Sequence, residues 1–183
     1  MILNLRRALV ASVVFLVLCG LLYPLAGTGI SQLFFARQAN GSLTPYGSSL
    51  IGQVWTGPGW FHGRPDGSII TTGPGGVLVS GTNQPGPRSK ALASQVAKTA
   101  QTLKREGVIP TNDLVTTSGS LLDPDISPRD AFAQMRALSA ARSVPESQLR
   151  RLIDGQIHGK LLGFIGRQYV DVLSLNIALS RLK

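Results

Sequence analysis

An uncharged stretch near the N-terminus, residues 8–36, constrains the fold more than any other feature of the sequence. An α-helix rises about 1.5 Å per residue, so about 20 apolar residues cross a hydrocarbon core roughly 30 Å thick. In lipid, the backbone amides have to be hydrogen-bonded within the segment itself, which favours a helix. The sequence therefore predicts a transmembrane helix over residues 8–29, with Pro24 kinking or thinning its far end.

Two alternatives to this helix fit the sequence less well. A cleaved signal peptide also begins with basic residues such as Arg6 and Arg7, but this apolar run is longer than an ordinary signal core, and Pro24-Leu25-Ala26 is a poor cleavage site. A lipoprotein signal requires a small residue before the cysteine, whereas Leu18 precedes Cys19. A buried helix of a soluble domain is disfavoured by the length of the run.

The charges on either side of the helix predict its orientation. The tail of residues 1–7 carries Arg6 and Arg7 and no acid. Short basic tails stay in the cytoplasm, while long domains are translocated with little regard to their charge. We therefore expect a cytoplasmic tail at 1–7 and an extracytoplasmic domain over 30–183, with a cell membrane that the chain crosses once between them.

The charge and cysteine content limit what the outer domain binds. Two of the 18 basic residues precede the helix, so the 16 that follow it outnumber the nine acids by seven. Outside a cytoplasmic membrane, this surplus favours anionic lipid headgroups or an acidic partner surface over nucleic acid, and a solvated surface with no partner is the alternative. The single cysteine, Cys19, lies in the apolar run, so the outer domain holds no disulfide.

The pattern after the helix predicts an α+β domain of helices and short strands. Ser127-Pro128-Arg129-Asp130 is typical of a helix start: Ser127 accepts an early amide, Pro128 suits the first position, and Asp130 favours the positive end of the helix. The other predicted elements are a helix over 89–106, a strand over 113–117, a helix that begins at the Ser-x-x-Glu spacing of 143–146 and ends at Gly159, and a last helix over 172–182 capped by Asp171.

Residues 56–87 are dense in glycine and proline, which excludes one long helix or a central strand. The stretch is longer than ordinary connections, so we expect a functional loop or partial disorder. Trp55, Trp60 and Phe61 argue against full disorder, because aromatic side chains in a loop usually pack against a core.

The sequence contains no convincing catalytic or metal-binding pattern. Ser118, His62 and Asp123 could be drawn as a triad, but nothing gives them the spacing of a nucleophile elbow. Asp123-Pro124-Asp125 predicts a turn before a helix rather than a cation site, because two carboxylates alone make a weak calcium site. Asp154 and His158, four residues apart on one predicted helix, suit a local pair.

The segment 61–65, Phe61-His62-Gly63-Arg64-Pro65, is the main candidate for a partner contact, together with Asp123 and Asp125. Phe61 would supply contact area and Arg64 a forked donor to a partner oxygen. The alternative is that Phe61 fills this domain's own core and Arg64 pairs with an internal acid. A deep pocket lined by His62, Arg64 and Asp123 would instead favour a membrane-anchored enzyme or ligand-binding protein.

Several runs resemble one family, the C subunit of the bacterial Kdp-type potassium-transporting ATPase. The most specific is Leu122-Asp123-Pro124-Asp125-Ile126-Ser127-Pro128, which follows the run over 113–120. The runs over 49–53 and 61–65, and the C-terminal run over 163–179 with Leu173-x-Leu175-Asn176-x-Ala178-Leu179, resemble the same family. Residues 69–82 depart from the pattern, so no role is carried over to them.

This resemblance implies a non-catalytic subunit of an ATP-driven potassium importer. It would assemble with a channel-like subunit and a P-type ATPase subunit, and act as a catalytic chaperone that raises the ATP affinity of the latter. ATP is implied by the resemblance alone, and the predicted topology places only a short tail on the ATP side. We therefore expect no directly bound cofactor or metal. The alternative is an anchored extracytoplasmic enzyme or binding protein unrelated to potassium transport.

Overall fold

The computed structural model describes residues 2–66, 68–70, 77–79 and 85–182, and for residue 2, 68–70 and 77–79 it describes the backbone alone. The chain divides into two compact units, Met1–Leu43 and Thr44–Lys183. Each unit is described by itself below.

The first unit is a long apolar helix. It consists of α1 (Ile2–Val17), a π-helical turn (Leu18–Leu22) and α2 (Tyr23–Phe34), followed by the short α3 (Ala36–Ala39). Among the described residues, one helix is long and apolar enough to cross a membrane, Leu3–Phe34. Its 32 residues correspond to about 48 Å at 1.5 Å per residue. The predicted apolar helix is confirmed, although it is longer than residues 8–29.

The π-helical turn lies directly before Pro24. Proline has no N–H to donate, and in a regular α-helix its ring clashes with the carbonyl four residues earlier, here that of Gly20. The N–H of Tyr23 donates to the carbonyl of Leu18, five residues back, which widens the helix at this point. The sequence predicted a kink or a thinning at Pro24, whereas the structure has a wider turn there within a continuing helix.

The second unit is mixed, with helices and very short strands, as the α+β pattern predicts. Its described residues form three two-stranded sheets, and β3 with β4 and β5 with β6 pair antiparallel. Strand β1 starts one residue before the unit boundary. In chain order, the elements are β1 (Leu43–Thr44), β2 (Gly47–Ser48), β3 (Ser68–Ile70), β4 (Val77–Val79), α4 (Lys90–Arg105), α5 (Asn112–Val115), β5 (Asp125–Ile126), α6 (Pro128–Arg142), α7 (Glu146–Asp154), β6 (Val170–Asp171) and α8 (Val172–Ser180).

Three helix starts agree with the capping signals. The Ser89 side chain accepts from the N–H of Ala91 at the start of α4. Ser127 and Asp130 form a reciprocal capping box at the start of α6, and Asp171 accepts from the N–H of Ser174 at 2.5 Å at the start of α8. These caps satisfy N–H groups that have no partner within their own helix.

Two predicted elements are wrong. Residues 113–117 do not form a strand; they overlap α5, in which the N–H groups of Val115 and Thr116 donate four residues back. Burial of Leu114 and Val115 on one short turn outweighs their β preference. Ser143 is not the cap of α7 either: it ends α6 with a left-handed φ of 55°, and α7 follows Pro145 and ends at Gly155 rather than Gly159.

The early end of α7 also removes the predicted pair of Asp154 and His158. His158 lies beyond the helix and forms an isolated β-bridge with Tyr169, on which its ring stacks at 4.7 Å. The segment 69–82, to which no role was assigned, lies mostly outside the described residues, apart from parts of β3 and β4.

The hydrophobic core is built by α6, α7 and α8 around Phe61, which is 0% exposed. Trp55 and Trp60 pack against this core, as expected for aromatic residues in a glycine-rich stretch. The other core side chains come from the helices, from β5 and β6, and from the connection between α6 and α7: Ile126, Ala131, Met135, Leu138, Val144, Leu149, Ile153, Val170, Val172, Leu175 and Leu179.

Two buried amide side chains hold the backbone beside this core. Asn176, which is 0% exposed, accepts from the N–H of Phe61 and donates to its carbonyl, both at 2.9 Å. Gln134 accepts from the N–H of His62 at 2.8 Å and donates to its carbonyl at 2.9 Å. Side chains from α8 and α6 thus supply the hydrogen bonds that neighbouring strands supply in a sheet.

Replacing Asn176 should destabilise the domain strongly. In Asn176→Ala, the buried N–H and carbonyl of Phe61 lose their partner, and each group left without one costs about 1–3 kcal/mol. The measurement is denaturant unfolding of the full chain in detergent, followed by the fluorescence of Trp55 and Trp60.

The matched control is Asn112→Ala, the same change at an exposed asparagine. We expect this control to stay within about 0.5 kcal/mol of the wild type. Equal unfolding midpoints for the two variants would show that the hydrogen bonds between Asn176 and the Phe61 backbone do not stabilise the core.

Candidate functional site

The structure places the two leading candidates, Phe61 and Arg64, in internal contacts. The Phe61 side chain is wholly buried in the core of its own domain. Arg64 Nη1 forms an ion pair with Asp113 Oδ1 at 2.8 Å, and both side chains are 12% exposed. These positions match the alternative that Phe61 fills the core and Arg64 pairs with an acid. A contact of the 61–65 segment with a partner remains a prediction.

The guanidinium group of Arg64 connects the 61–65 segment with residues 113–117. Besides its ion pair, its Nη2 donates to the carbonyl of Thr117 at 2.9 Å and to the Thr116 hydroxyl at 3.3 Å. Asp123 lies at 4.0 Å from Nη1 as a weaker second acid. A planar guanidinium makes such divergent bonds better than an ammonium does.

Asp66 holds the loop that follows α5. Its carboxylate accepts from the N–H and the hydroxyl of Ser118, both at 2.5 Å, and from the N–H of Asp123 at 3.2 Å. Sequence reasoning missed Asp66 and Asp113, as well as Gln134 and Asn176. Asp66 directly follows the Arg64-Pro65 pair, and this was the only local sign that one of these four residues belongs to the site. Their hydrogen-bond partners across the site lie far away in sequence, so no local pattern predicts them.

The residues drawn as a catalytic triad are engaged elsewhere. Ser118 bonds to Asp66, and His62 Nε2 lies 3.0 Å from the carbonyl oxygen of Gly57. Asp123 Oδ1 accepts from the N–H of Asp125 at 3.1 Å, which is the turn predicted for Asp123-Pro124-Asp125. Within the described residues, no group of three or more His, Cys, Asp or Glu side chains is arranged to hold a metal ion.

A cleft of about 290 Å³ brings five of the candidates together. Its lining includes His62, Gly63, Arg64, Pro65 and Asp123. Its lining also includes Gly52, where an added Cβ would lie only 3.0 Å from the Asp123 carbonyl oxygen. The cleft thus contains the three residues His62, Arg64 and Asp123 expected of a binding site, but it is open, and its volume is just below the usual range of ligand sites.

Two pairs of acidic side chains adjoin the residues that line the cleft. The first pair is Asp113 with Asp130. Burial, the hydrogen bond with Asp130 and the Asp130 charge raise the pKa of Asp113, while Arg64 and Arg167 oppose them. Burial disfavours ionised Asp130, but hydrogen bonds, first among them that from Ser127, outweigh it and lower the pKa of Asp130. Of the two carboxyls, Asp113 therefore takes up a proton at the higher pH.

The second acidic pair is Asp125 with Asp171, directly opposite each other on β5 and β6. Burial, followed by the charges of Asp171 and Asp123, raises the pKa of Asp125 to about 6, while His158 and Arg167 oppose the shift. Asp125 is half-buried and does not line the cleft. Its raised pKa reflects burial first and then like charges placed close together, which is a structural cost rather than a sign of catalysis.

Taken together, these features define a class of protein: a domain that follows a membrane-length apolar helix and whose polar side chains mainly hold loops in place. The family comparison is more specific. The model of the KdpC family, described as K+-transporting ATPase, c chain, matches residues 5–181. The chain belongs to this family.

Individual relatives agree over almost the whole length. The chain is 48% identical over 187 residues to a potassium-transporting ATPase KdpC subunit of Caulobacter vibrioides, covering 98% of this chain and 93% of that one. It is 43% identical over 198 residues to the KdpC subunit of Methylobacterium nodulans, covering 100% and 98%. The chain is thus an accessory subunit of the Kdp ATPase and is not itself the enzyme.

The raised pKa of Asp125 predicts how stability changes with pH. Folded Asp125 holds its proton up to about pH 6, whereas in the unfolded chain it loses the proton near its ordinary value of 3.8. Its contribution is therefore fully present below pH 3.8 and is lost as the pH rises through 6. Between about pH 4 and pH 7, Asp125→Asn should lose less stability than the wild type.

The check is the unfolding midpoint of both proteins at the two pH values. Asp154→Asn, at an exposed carboxylate of α7, is the control and should follow the wild type. If Asp125→Asn and the wild type change in parallel with pH, Asp125 does not titrate in this range.

Proposed function

We propose that this chain is the non-catalytic subunit of a high-affinity, ATP-driven potassium import complex. It assembles there with a channel-like potassium-binding subunit and a P-type ATPase subunit. The observation that carries the proposal is the family match over residues 5–181. Potassium transport is named in the relatives that cover nearly the whole chain, which favours this function over an unrelated anchored enzyme or binding protein.

The proposed location is the bacterial cell membrane, crossed once, with the C-terminal domain outside. The apolar helix Leu3–Phe34 supports a membrane location. Arg6 and Arg7, in a short tail without acids, support a cytoplasmic N-terminus, because short basic tails resist translocation. The proposed division is a tail at 1–7, a transmembrane part at 8–29 and an outer domain at 30–183.

The proposed partner surface is the outer rim of the cleft. Phe61 and Arg64 are held inside the domain, so they act by fixing the shape of the 61–65 segment. His62, Gly63 and Pro65 are only half-buried and offer a surface, as do Asp123 and Asp125. A loop whose backbone is already fixed loses little conformational entropy on binding, which favours assembly.

Co-purification tests this function. The tagged full chain, expressed with its operon partners and extracted in mild detergent, should retain two large membrane subunits. Asp123→Asn keeps the oxygen that bonds to the Asp125 N–H and removes the charge on the rim. Since an exposed charge pair contributes about 0.2–1 kcal/mol, we expect affinity to fall by up to about fivefold.

The matched control is Asp154→Asn, which should retain the subunits as the wild type does. Absence of both subunits from the wild-type preparation would contradict the proposed function. Equal retention by Asp123→Asn and the wild type would contradict only the proposed surface.

We also propose that the chain raises the ATP affinity of its ATPase partner indirectly. The proposed topology leaves only a short tail on the ATP side. The sequence contains no Gly-rich loop followed by Lys and Ser or Thr; the nearest run, Gly155-Gln-Ile-His-Gly-Lys-Leu, has a different spacing. The chain then acts by binding one state of the pump better than another.

Reciprocity makes this coupling measurable. If the chain changes the ATP affinity of the ATPase subunit by a given factor, ATP must change the affinity of the pump for the chain by the same factor. We expect a factor of about 5–150, which corresponds to about 1–3 kcal/mol. The measurement is titration of the full chain into the pump lacking it, with and without ATP.

Calorimetry of ATP against the full chain alone is the control and should show no saturable site. Micromolar binding that persists in high salt would mean that the chain ligates ATP directly. Weak binding that fades with salt would reflect its surplus positive charge.

A further inference from the structure

An exposed hairpin after α7 contributes little to the fold described above, apart from an ion pair of Arg167 with Asp113 at 3.8 Å. We define the arm as residues 158–169. Its base is the β-bridge of His158 with Tyr169, and its end is the bridge of Leu161 with Ile165. Every residue from 158 to 168 is exposed within the described part of the structure.

The tip of the arm is apolar. Leu162 is 77% exposed and Phe164 is 74% exposed, and Leu161 and Ile165 flank them. Backbone hydrogen bonds between Leu161 and Ile165, at 3.0 and 2.9 Å, hold this turn in place. Four large apolar side chains on an ordered turn do not pack on the domain that carries them, so the fold alone does not explain them.

The backbone conformation of Leu162 also indicates a contact outside the domain. Its φ is 54°, in the left-handed region that favours glycine and asparagine and that costs a branched apolar residue free energy. Glycine or asparagine would adopt this φ at a lower free-energy cost and would expose less apolar surface to water. Leucine at this position therefore suits a contact outside the domain.

The charges beside the tip are basic. Lys160 directly precedes the apolar tip and Arg167 follows it, and both are exposed. Arg167 Nη1 also lies 3.8 Å from Asp113 Oδ2, so within the described residues Lys160 is the cation beside the tip without an ion pair to the domain. Between Asp154 and Asp171 the sequence has no acid. A short apolar tip with cations immediately behind it matches the order of layers at a bilayer surface, where hydrocarbon lies below anionic headgroups.

We propose that the arm inserts its tip into the surface of the anionic bilayer that the N-terminal helix crosses. The inference goes beyond the proposed function but rests on its membrane location. Because the anchor ties the domain to that bilayer, insertion is intramolecular and takes place at a high effective concentration, so even a weak surface contact is populated. Lys160 then lies at headgroup level, Arg167 stays at the foot of the arm beside Asp113, and the arm becomes a second attachment of the domain.

Fluorescence of the full chain in lipid nanodiscs tests this insertion. Cys19→Ser removes the only cysteine, and Leu162→Cys places an environment-sensitive fluorophore at the tip. In nanodiscs that contain phosphatidylglycerol, we expect blue-shifted emission and quenching by spin-labelled lipid. Nanodiscs of phosphatidylcholine alone should give weaker effects.

Two sets of variants complete the test. Ile109→Cys, at another exposed apolar residue (66% exposed), is the matched control and should report water in both lipids. Lys160→Gln should lower the ratio of inserted to free arm about fivefold, the effect of removing one cation near an anionic surface. Phe164→Ser with Ile165→Ser should return the tip fluorophore to water.

Three outcomes would overturn the proposal. A tip fluorophore as exposed to water as the one at position 109 in anionic nanodiscs excludes insertion. Protection that appears only when the other pump subunits are added means that a protein surface covers the arm. A chain that does not remain with the nanodiscs contradicts the anchor itself, and with it the membrane location under the proposed function.

Discussion

The second unit depends on the pairing of two buried amides with one stretch of backbone. Gln134 on α6 and Asn176 on α8 each donate to and accept from the backbone of one residue in this stretch, His62 and Phe61 respectively. Backbone N–H and carbonyl groups that are buried need partners, and the two-stranded sheets of the described residues offer few. The two helices provide them, which lets Phe61 enter the core without exposing unpaired N–H and carbonyl groups.

The residues that follow extend this arrangement outward. Arg64 binds Asp113 and the carbonyl of Thr117, and Asp66 binds Ser118 and the N–H of Asp123. Loops distant in sequence are therefore joined by charge-assisted hydrogen bonds, which are shorter and stronger than neutral ones. The rim of the cleft is consequently made of fixed loops, although sheet pairing contributes little there.

Local signals predicted much of the fold, whereas the site required long-range pairing. The caps at Ser127 and Asp171 depend on side chains that reach only three residues, so their sequence patterns are sufficient. Asn176 lies 115 positions from its partner Phe61, and no periodicity encodes such a contact. The strand expected over 113–117 failed for a related reason: propensity is a weak guide where tertiary burial decides, as at Leu114.

A subunit without chemistry of its own changes a partner's reaction only by binding two of its states unequally. A difference of about 1–3 kcal/mol is enough, and one or two hydrogen bonds present in a single state supply it. A mobile loop would change its conformation together with its partner and would bind both states with the same affinity. The loops beside Phe61 and Arg64 are held by buried amides and an ion pair, so in the proposed contact a change of shape in the partner would break the fit. Rigidity would thus connect the internal positions of these two residues with the proposed role in assembly.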